Sequence, residues 1–165
     1  MSVATNTAHL PALGAHERGE VGAQLQATLV ELIDLSLVGK QLHWCVTGPT
    51  FLQVHEQLDV LVDSWRAMSD EVAERAVALG SFPDGQADAV AHAHELGRVE
   101  RGAIEADHVI RELARRLADT AERVRGRMDR MGEIDQASQD ILTGVVRDLE
   151  KQLWMVRSQL PHGGA

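Results

Sequence analysis

The sequence predicts an all-α protein, a four-helix bundle with a short helix in the long middle connection. Three observations predict it. Apolar residues recur in steps of three and four along four long segments. Helix-breaking residues separate those segments: Thr47-Gly48-Pro49-Thr50, then Gly80 with Pro83, then Gly132. Aromatics make up only 3% of the 165 residues, with no Tyr, so strand formers are scarce.

Each element has its own justification. Residues 1–16 are rich in Ala, Thr, Gly and His and read as a flexible N-terminal arm without a core of its own. From about residue 17 to 44, Val21, Leu25, Leu29, Leu32, Ile33 and Leu37 form the first helical stripe. Thr50 is placed to cap the second helix, whose seam is Phe51, Val54, Leu58, Leu61, Trp65, Met68 and Val72. Gly80 and Pro83 end it. The stretch 87–96 is long enough for a short helix. A third helix is expected over about 98–131, on Ala103, Ala106, Ile110, Leu113, Leu117, Ala121, Val124 and Met128. Asp135 can cap the fourth, carried by Ile141, Val145, Leu149, Leu153 and Val156 and stopped by Pro161. The bundle thus spans 17–160, with a short tail at 161–165.

Composition bounds the function. The length suits one domain with one sizeable core. A net charge of −9 repels nucleic acid and attracts cations. The single Cys45 excludes an internal disulfide. No apolar run of about 18 residues is apparent, and the N-terminus has no secretory pattern, so a cytoplasmic protein is expected.

The chemistry lies between His43 and Glu74. His55 and Asp59 are four residues apart, as are Asp70 and Glu74, so each pair stacks on one side of the second helix. With Phe51 at zero, the core stripe centres near about −60°. The two pairs fall between roughly 40° and 140°, away from the core. Asp59 and Asp70 are separated by about 16 Å of helix, too far to share one ion. Two copies packed antiparallel about a two-fold axis would bring the first pair of one against the second pair of the other, twice. Imidazole with carboxylates suits Fe, Mn or Zn, and the absence of thiolates disfavours structural zinc or an iron–sulfur cluster. The same spacing also occurs on solvated helix faces, where Arg66 and Arg75 would pair with the acids.

The run His43-Trp44, Gly48, Phe51, His55-Glu56, Leu58-Asp59, Asp70, Glu74-Arg75-Ala76 and Leu79-Gly80 closely resembles the Dps family (DNA-binding protein from starved cells, the mini-ferritins). Ala106-Asp107-His108 and Leu153-Trp154-Met155-Val156-Arg157 are similar to the family too, so the resemblance covers about 17–160. It implies a ferritin-like bundle assembled as a hollow homododecamer. It also implies that His43, His55 and Asp59 of one subunit meet Asp70 and Glu74 of its two-fold partner. The implied activity is a ferroxidase that oxidises Fe(II) to Fe(III), preferably with hydrogen peroxide, and stores ferric oxide, protecting against oxidative stress. His43 and His55 would bind as neutral imidazoles, Asp59 and Glu74 as anionic ligands, and Asp70 as a ligand or an orienting group. Trp44 would lie near the iron, packing an interface or absorbing oxidising equivalents, whereas Trp65 on the seam is core.

Cys45 departs from the family's usual small polar residue and is expected to be a buried small hydrophobe. His92, His94, His108 and His162 fall outside the motif and are expected to be structural or solvated, with an accessory metal near His92 and His94 as the alternative. Glu133, Asp135 and Asp140 are candidates for an acidic three-fold pore, or complement a helix dipole. DNA binding is expected to be weak or absent, because neither 1–16 nor 161–165 carries Lys or Arg. Arg111, Arg115, Arg116, Arg123, Arg125 and Arg127 are interspersed with acids and read as an ion-paired face. The competing functions are a nucleoid-associated, DNA-compacting protein and a bundle whose acidic face serves assembly alone.

Overall fold

The computed structural model describes residues 10–11, 13–93 and 96–160. Most of the expected N-terminal arm, the whole of 161–165, and His94 and His162 lie outside the described residues. The elements are α1 (Ala15–Cys45), β1 (Val46–Thr47), α2 (Phe51–Ala78), α3 (Ala87–His92), β2 (Ile104–Glu105), α4 (Ala106–Met131) and α5 (Gln136–Arg157). Four long helices with a short one in the middle connection match the expectation.

The chain order explains the layout. The turn after α1 is five residues long, so α2 folds back beside α1. At 28 residues, α2 carries the chain about 42 Å away. The connection then returns the full length, because β2 pairs in parallel with β1 through Val46 with Ile104 and Thr47 with Glu105. α4 therefore starts at the end where α2 starts, and α5 folds back beside it. One apolar core runs through all four helices, with Trp65, Leu32, Leu42, Leu58, Leu117 and Leu149 fully buried.

Several expectations need correction. The third long helix begins at Ala106 rather than near residue 98, and Ala103 is exposed in a loop. Gly102 has φ +130° and Ile104–Glu105 is extended onto β1, a conformation a helix cannot share. Thr50 stands at the N-cap of α2, but its hydroxyl makes no capping hydrogen bond. Leu37 and Phe51, assigned to apolar seams, are 55% and 41% exposed. Finally, α1 is by length and composition apolar enough over part of its length to cross a membrane, which the spacing does not suggest. In the fold most of that stretch is buried, so its apolar residues are spent on the bundle core.

Gly39 shows how tightly α1 and α2 meet. A Cβ there would lie 2.5 Å from the Trp65 ring and 2.8 Å from Val62. The ring cannot retreat, since its Nε1–H donates to Gln152 Oε1 at 2.7 Å. Gly39→Ala is expected to destabilise by about 1–3 kcal/mol of overpacking, reduced by the roughly 1 kcal/mol that Ala gains in helix propensity. Urea denaturation of the variant measures the balance.

The far end of α2 is tied to α5 by Arg75, which donates to Asp135 Oδ2 at 2.7 Å and to Ser138 Oγ at 2.9 Å. Burial acts to raise the pKa of Asp135, but the hydrogen bonds from Arg75 and Ser138 outweigh it and hold the carboxyl below its ordinary 3.8. Because the folded value is the lower one, this stabilisation is complete above about pH 3.8 and is lost as pH falls through the folded value. Asp135→Asn should therefore lose less stability than the parent on acidification below pH 4, as followed by circular dichroism.

Candidate metal centre

The site forms where α1 ends and α2 begins. His43 lies in the last turn of α1 and His55 in the second turn of α2. The turn between them depends on Gly48, whose φ of +109° suits glycine and whose missing Cβ leaves room for the Glu105 carboxylate, 2.7 Å from where it would stand. Backbone pairing of β1 with β2 and the bond from Thr47 Oγ1 to the Ile104 carbonyl hold this corner from outside.

The two imidazoles lock each other. His43 Nδ1 lies 3.0 Å from the His55 carbonyl, and His55 Nδ1 lies 3.1 Å from the His43 carbonyl. A carbonyl only accepts, so both rings carry their proton on Nδ1 and leave the Nε2 lone pair for a metal. The rings stack with centroids 3.6 Å apart at 21°, and Phe51 lies against His55 at 5.0 Å. Asp59, one turn beyond His55, completes the group. One ligand atom from each of His43, His55 and Asp59 lies within 4.8 Å of the other two. His43 is buried, while His55 and Asp59 are half-buried, so the group opens on one side.

Asp59 has a partner that the sequence did not announce. Lys40 Nζ stands 2.6 Å from Asp59 Oδ1, and His43 Nδ1 lies 3.3 Å from the same oxygen. The hydrogen bond from Lys40, aided by the lysine's charge, outweighs desolvation and holds the Asp59 carboxyl below its ordinary range. Lys40 sits three residues before His43, hence on one face of α1 with it.

Asp70 and Glu74 are not in this group. Both are exposed on α2, about 16 Å further along for Asp70. Of the five expected residues, three converge within the subunit and two face outward. Trp44 is 69% exposed beside the site, with Lys40 Nζ 5.9 Å from its ring centroid. Trp65 is fully buried, as expected. Cys45 is buried, accepting a hydrogen bond from Gln41 Nε2 at 3.1 Å. His92 is exposed and donates through Nδ1 to the Asp88 carbonyl, and His108 is exposed. Among the described residues, His43, His55 and Asp59 are the one group of three or more His, Cys, Asp or Glu close enough to hold an ion. Asp135, proposed for a pore, is buried and bound by Arg75, whereas Glu133 and Asp140 are exposed.

Comparison with known proteins agrees on the frame. Residues 22–163 match the ferritin-like domain family. The chain is 34% identical over 157 residues to the DNA protection during starvation protein of Mycolicibacterium smegmatis, covering 94% of this chain and 85% of that one. It superposes on the tetragonal form of Mycobacterium smegmatis Dps with a TM-score of 0.90 and 31% identity, over 100% and 98% of the two chains. DpsA14 from Streptomyces coelicolor superposes with a TM-score of 0.88 and 36% identity, over 94% and 93%.

Proposed function

The chain belongs to the ferritin-like family and, within it, to the Dps proteins, and on that premise we propose that it is a peroxide-consuming ferroxidase and iron store. Its substrate Fe(II) is bound by His43, His55 and Asp59 of one subunit together with Asp70 and Glu74 of a two-fold partner. The observation that carries this reading is the reciprocal Nδ1-to-carbonyl locking of His43 and His55, which leaves the Nε2 of each ring available to a metal in a group with Asp59 whose ligand atoms lie within 4.8 Å of one another. The exposure of Asp70 and Glu74 supports the second half of the site, since carboxylates on an outward face are available to another copy.

The chemistry follows from the ligands. Two Fe(II) each give one electron to one hydrogen peroxide, whose O–O bond breaks. The oxygens take up two protons and leave as two waters, so no hydroxyl radical is released. The carboxylates favour the more highly charged Fe(III) and thereby draw the oxidation forward. Ferric oxide is then stored inside a hollow homododecamer in the cytoplasm. Glu133 and Asp140 are candidates for lining its entry pore, residues 17–160 form the structural unit, and 1–16 and 161–165 are appendages.

DNA binding is weak or absent in this reading. Most arginines of α4 are occupied by acids: Arg115 by Glu112 and Asp119, Arg116 by Glu112, Arg125 by Glu150, and Arg123 and Arg127 by Glu31. A gel shift with duplex DNA at neutral pH and physiological salt should show no complex. The function itself is tested by anaerobic Fe(II) loading followed by peroxide, with oxidation read by ultraviolet absorbance and radical release by spin trapping. Rapid oxidation without a hydroxyl-radical adduct supports it. Oxidation no faster than in buffer would refute it.

A further inference from the structure

We infer that Lys40 is a built-in competitor for the metal at Asp59, an ammonium that holds the carboxylate until a more highly charged cation displaces it. The inference rests on the proposed reading of His43, His55 and Asp59 as iron ligands, and adds a residue that sets which cations enter and how tightly.

The geometry is specific. Lys40 Nζ and Asp59 Oδ1 are 2.6 Å apart, a charge-assisted hydrogen bond across the α1–α2 interface. The same oxygen lies 3.3 Å from His43 Nδ1, so the ammonium and the imidazole meet at one carboxylate oxygen. The ammonium therefore neutralises the one carboxylate that the subunit contributes to the His43, His55 and Asp59 group. An ion arriving there meets both a ligand already engaged and a positive charge at short range.

Lys40 is placed to leave as well as to stay. Its side chain is 24% exposed and its Nζ is 5.9 Å from the centroid of Trp44. The ring face offers the displaced ammonium a second seat within side-chain reach. Monovalent cations, with no more charge than the ammonium they would replace, gain nothing from the exchange. Divalent ions do. The consequence is a site of deliberately moderate affinity that discriminates by charge, with Lys40 acting on the ligand set rather than on the reacting atoms.

The test uses the assembled full-length protein and redox-inert Zn(II), titrated calorimetrically against the parent, Lys40→Met, Lys40→Arg and the His43→Ala/His55→Ala double variant. Lys40→Met keeps the aliphatic length without the charge and should tighten Zn(II) binding at least tenfold, while Lys40→Arg should bind no more tightly than the parent. Trp fluorescence should also change on Zn(II) addition in the parent, and by less in Lys40→Met. Equal or weaker binding in Lys40→Met, with binding abolished in the histidine variant, would overturn the role of Lys40 and leave the site intact. Parental binding in the histidine variant would instead remove the metal-site reading beneath it.

Discussion

Peroxide-driven Fe(II) oxidation in the His43→Ala/His55→Ala variant is expected to fall by about 100-fold or more, since even outer contacts to metal ligands are worth about 10–100-fold. Both Nε2 donors disappear together, leaving Asp59 alone in its subunit and still engaged by Lys40. Folding is the competing explanation. The two rings also bridge α1 to α2 through bonds of 3.0 and 3.1 Å to each other's carbonyls. Losing a buried partner costs about 1–3 kcal/mol, less where water reaches the orphaned group. The variant His43→Asn/His55→Asn separates the two effects. An Asn amide can donate near the position of Nδ1 but has no counterpart to Nε2. It should recover stability in urea denaturation without recovering oxidation. Recovery of both would mean that the rings serve packing and not metal.

The largest stability effect is expected far from the site, at Glu31. This carboxylate is 5% exposed on α1 and receives Arg123 at 2.5 Å and Arg127 at 2.6 Å from α4. Buried pairs of this kind gain little over a well-packed apolar equivalent, but removing one partner strands the other charges out of water. Glu31→Ala takes the shared carboxylate from Arg127, 13% exposed, and Arg123, 29% exposed, and should destabilise by about 3 kcal/mol. Glu31→Gln, which keeps the volume and one acceptor, should cost less. Equilibrium denaturation of both variants checks the order as well as the size. Because Glu31 lies three turns before His43 on α1, the Gln variant should retain Fe(II) oxidation once folded.

Much of this protein is legible in one dimension, for identifiable reasons. The seam through Leu58, Leu61, Trp65, Met68 and Val72 is continuous and strictly helical, so α2 reads directly from spacing. Residues 98–105 do not, because Ala103 continues the three-residue step to Ala106 although it lies in a loop, while Val99 and Ile104 reach the core from that loop and a two-residue strand. Periodicity records which side chains seek the core, and cannot distinguish a helix turn from a loop that delivers the same residues. Phe51 fails for a different reason. Its place on the wheel is apolar, but it is the first residue of α2, where the bundle has already opened and the ring lies against His55.

The site divides in the same way. His55 and Asp59 are legible because a four-residue step on one helix fixes their proximity. The approach of His43 required knowing how the 46–50 turn brings two helix ends together, and its family resemblance supplied that in advance of the geometry. Lys40 was invisible because a lysine three residues before a histidine is an ordinary surface pattern until a carboxylate from another helix meets it.

The central claim is that neither subunit completes the site alone, and subunit mixing tests it most directly. The His43→Ala/His55→Ala and Asp70→Ala/Glu74→Ala variants should each be inactive in Fe(II) oxidation. When they are unfolded together in equal amounts and reassembled, random two-fold pairing makes half of the dimers mixed. Each mixed dimer has one intact site of its two, which restores about a quarter of the parental rate per subunit. Activity near that level is the predicted result. A reassembled mixture no more active than its two parents, with mixed dimers verified by mass, would show that the five residues do not act across a subunit boundary.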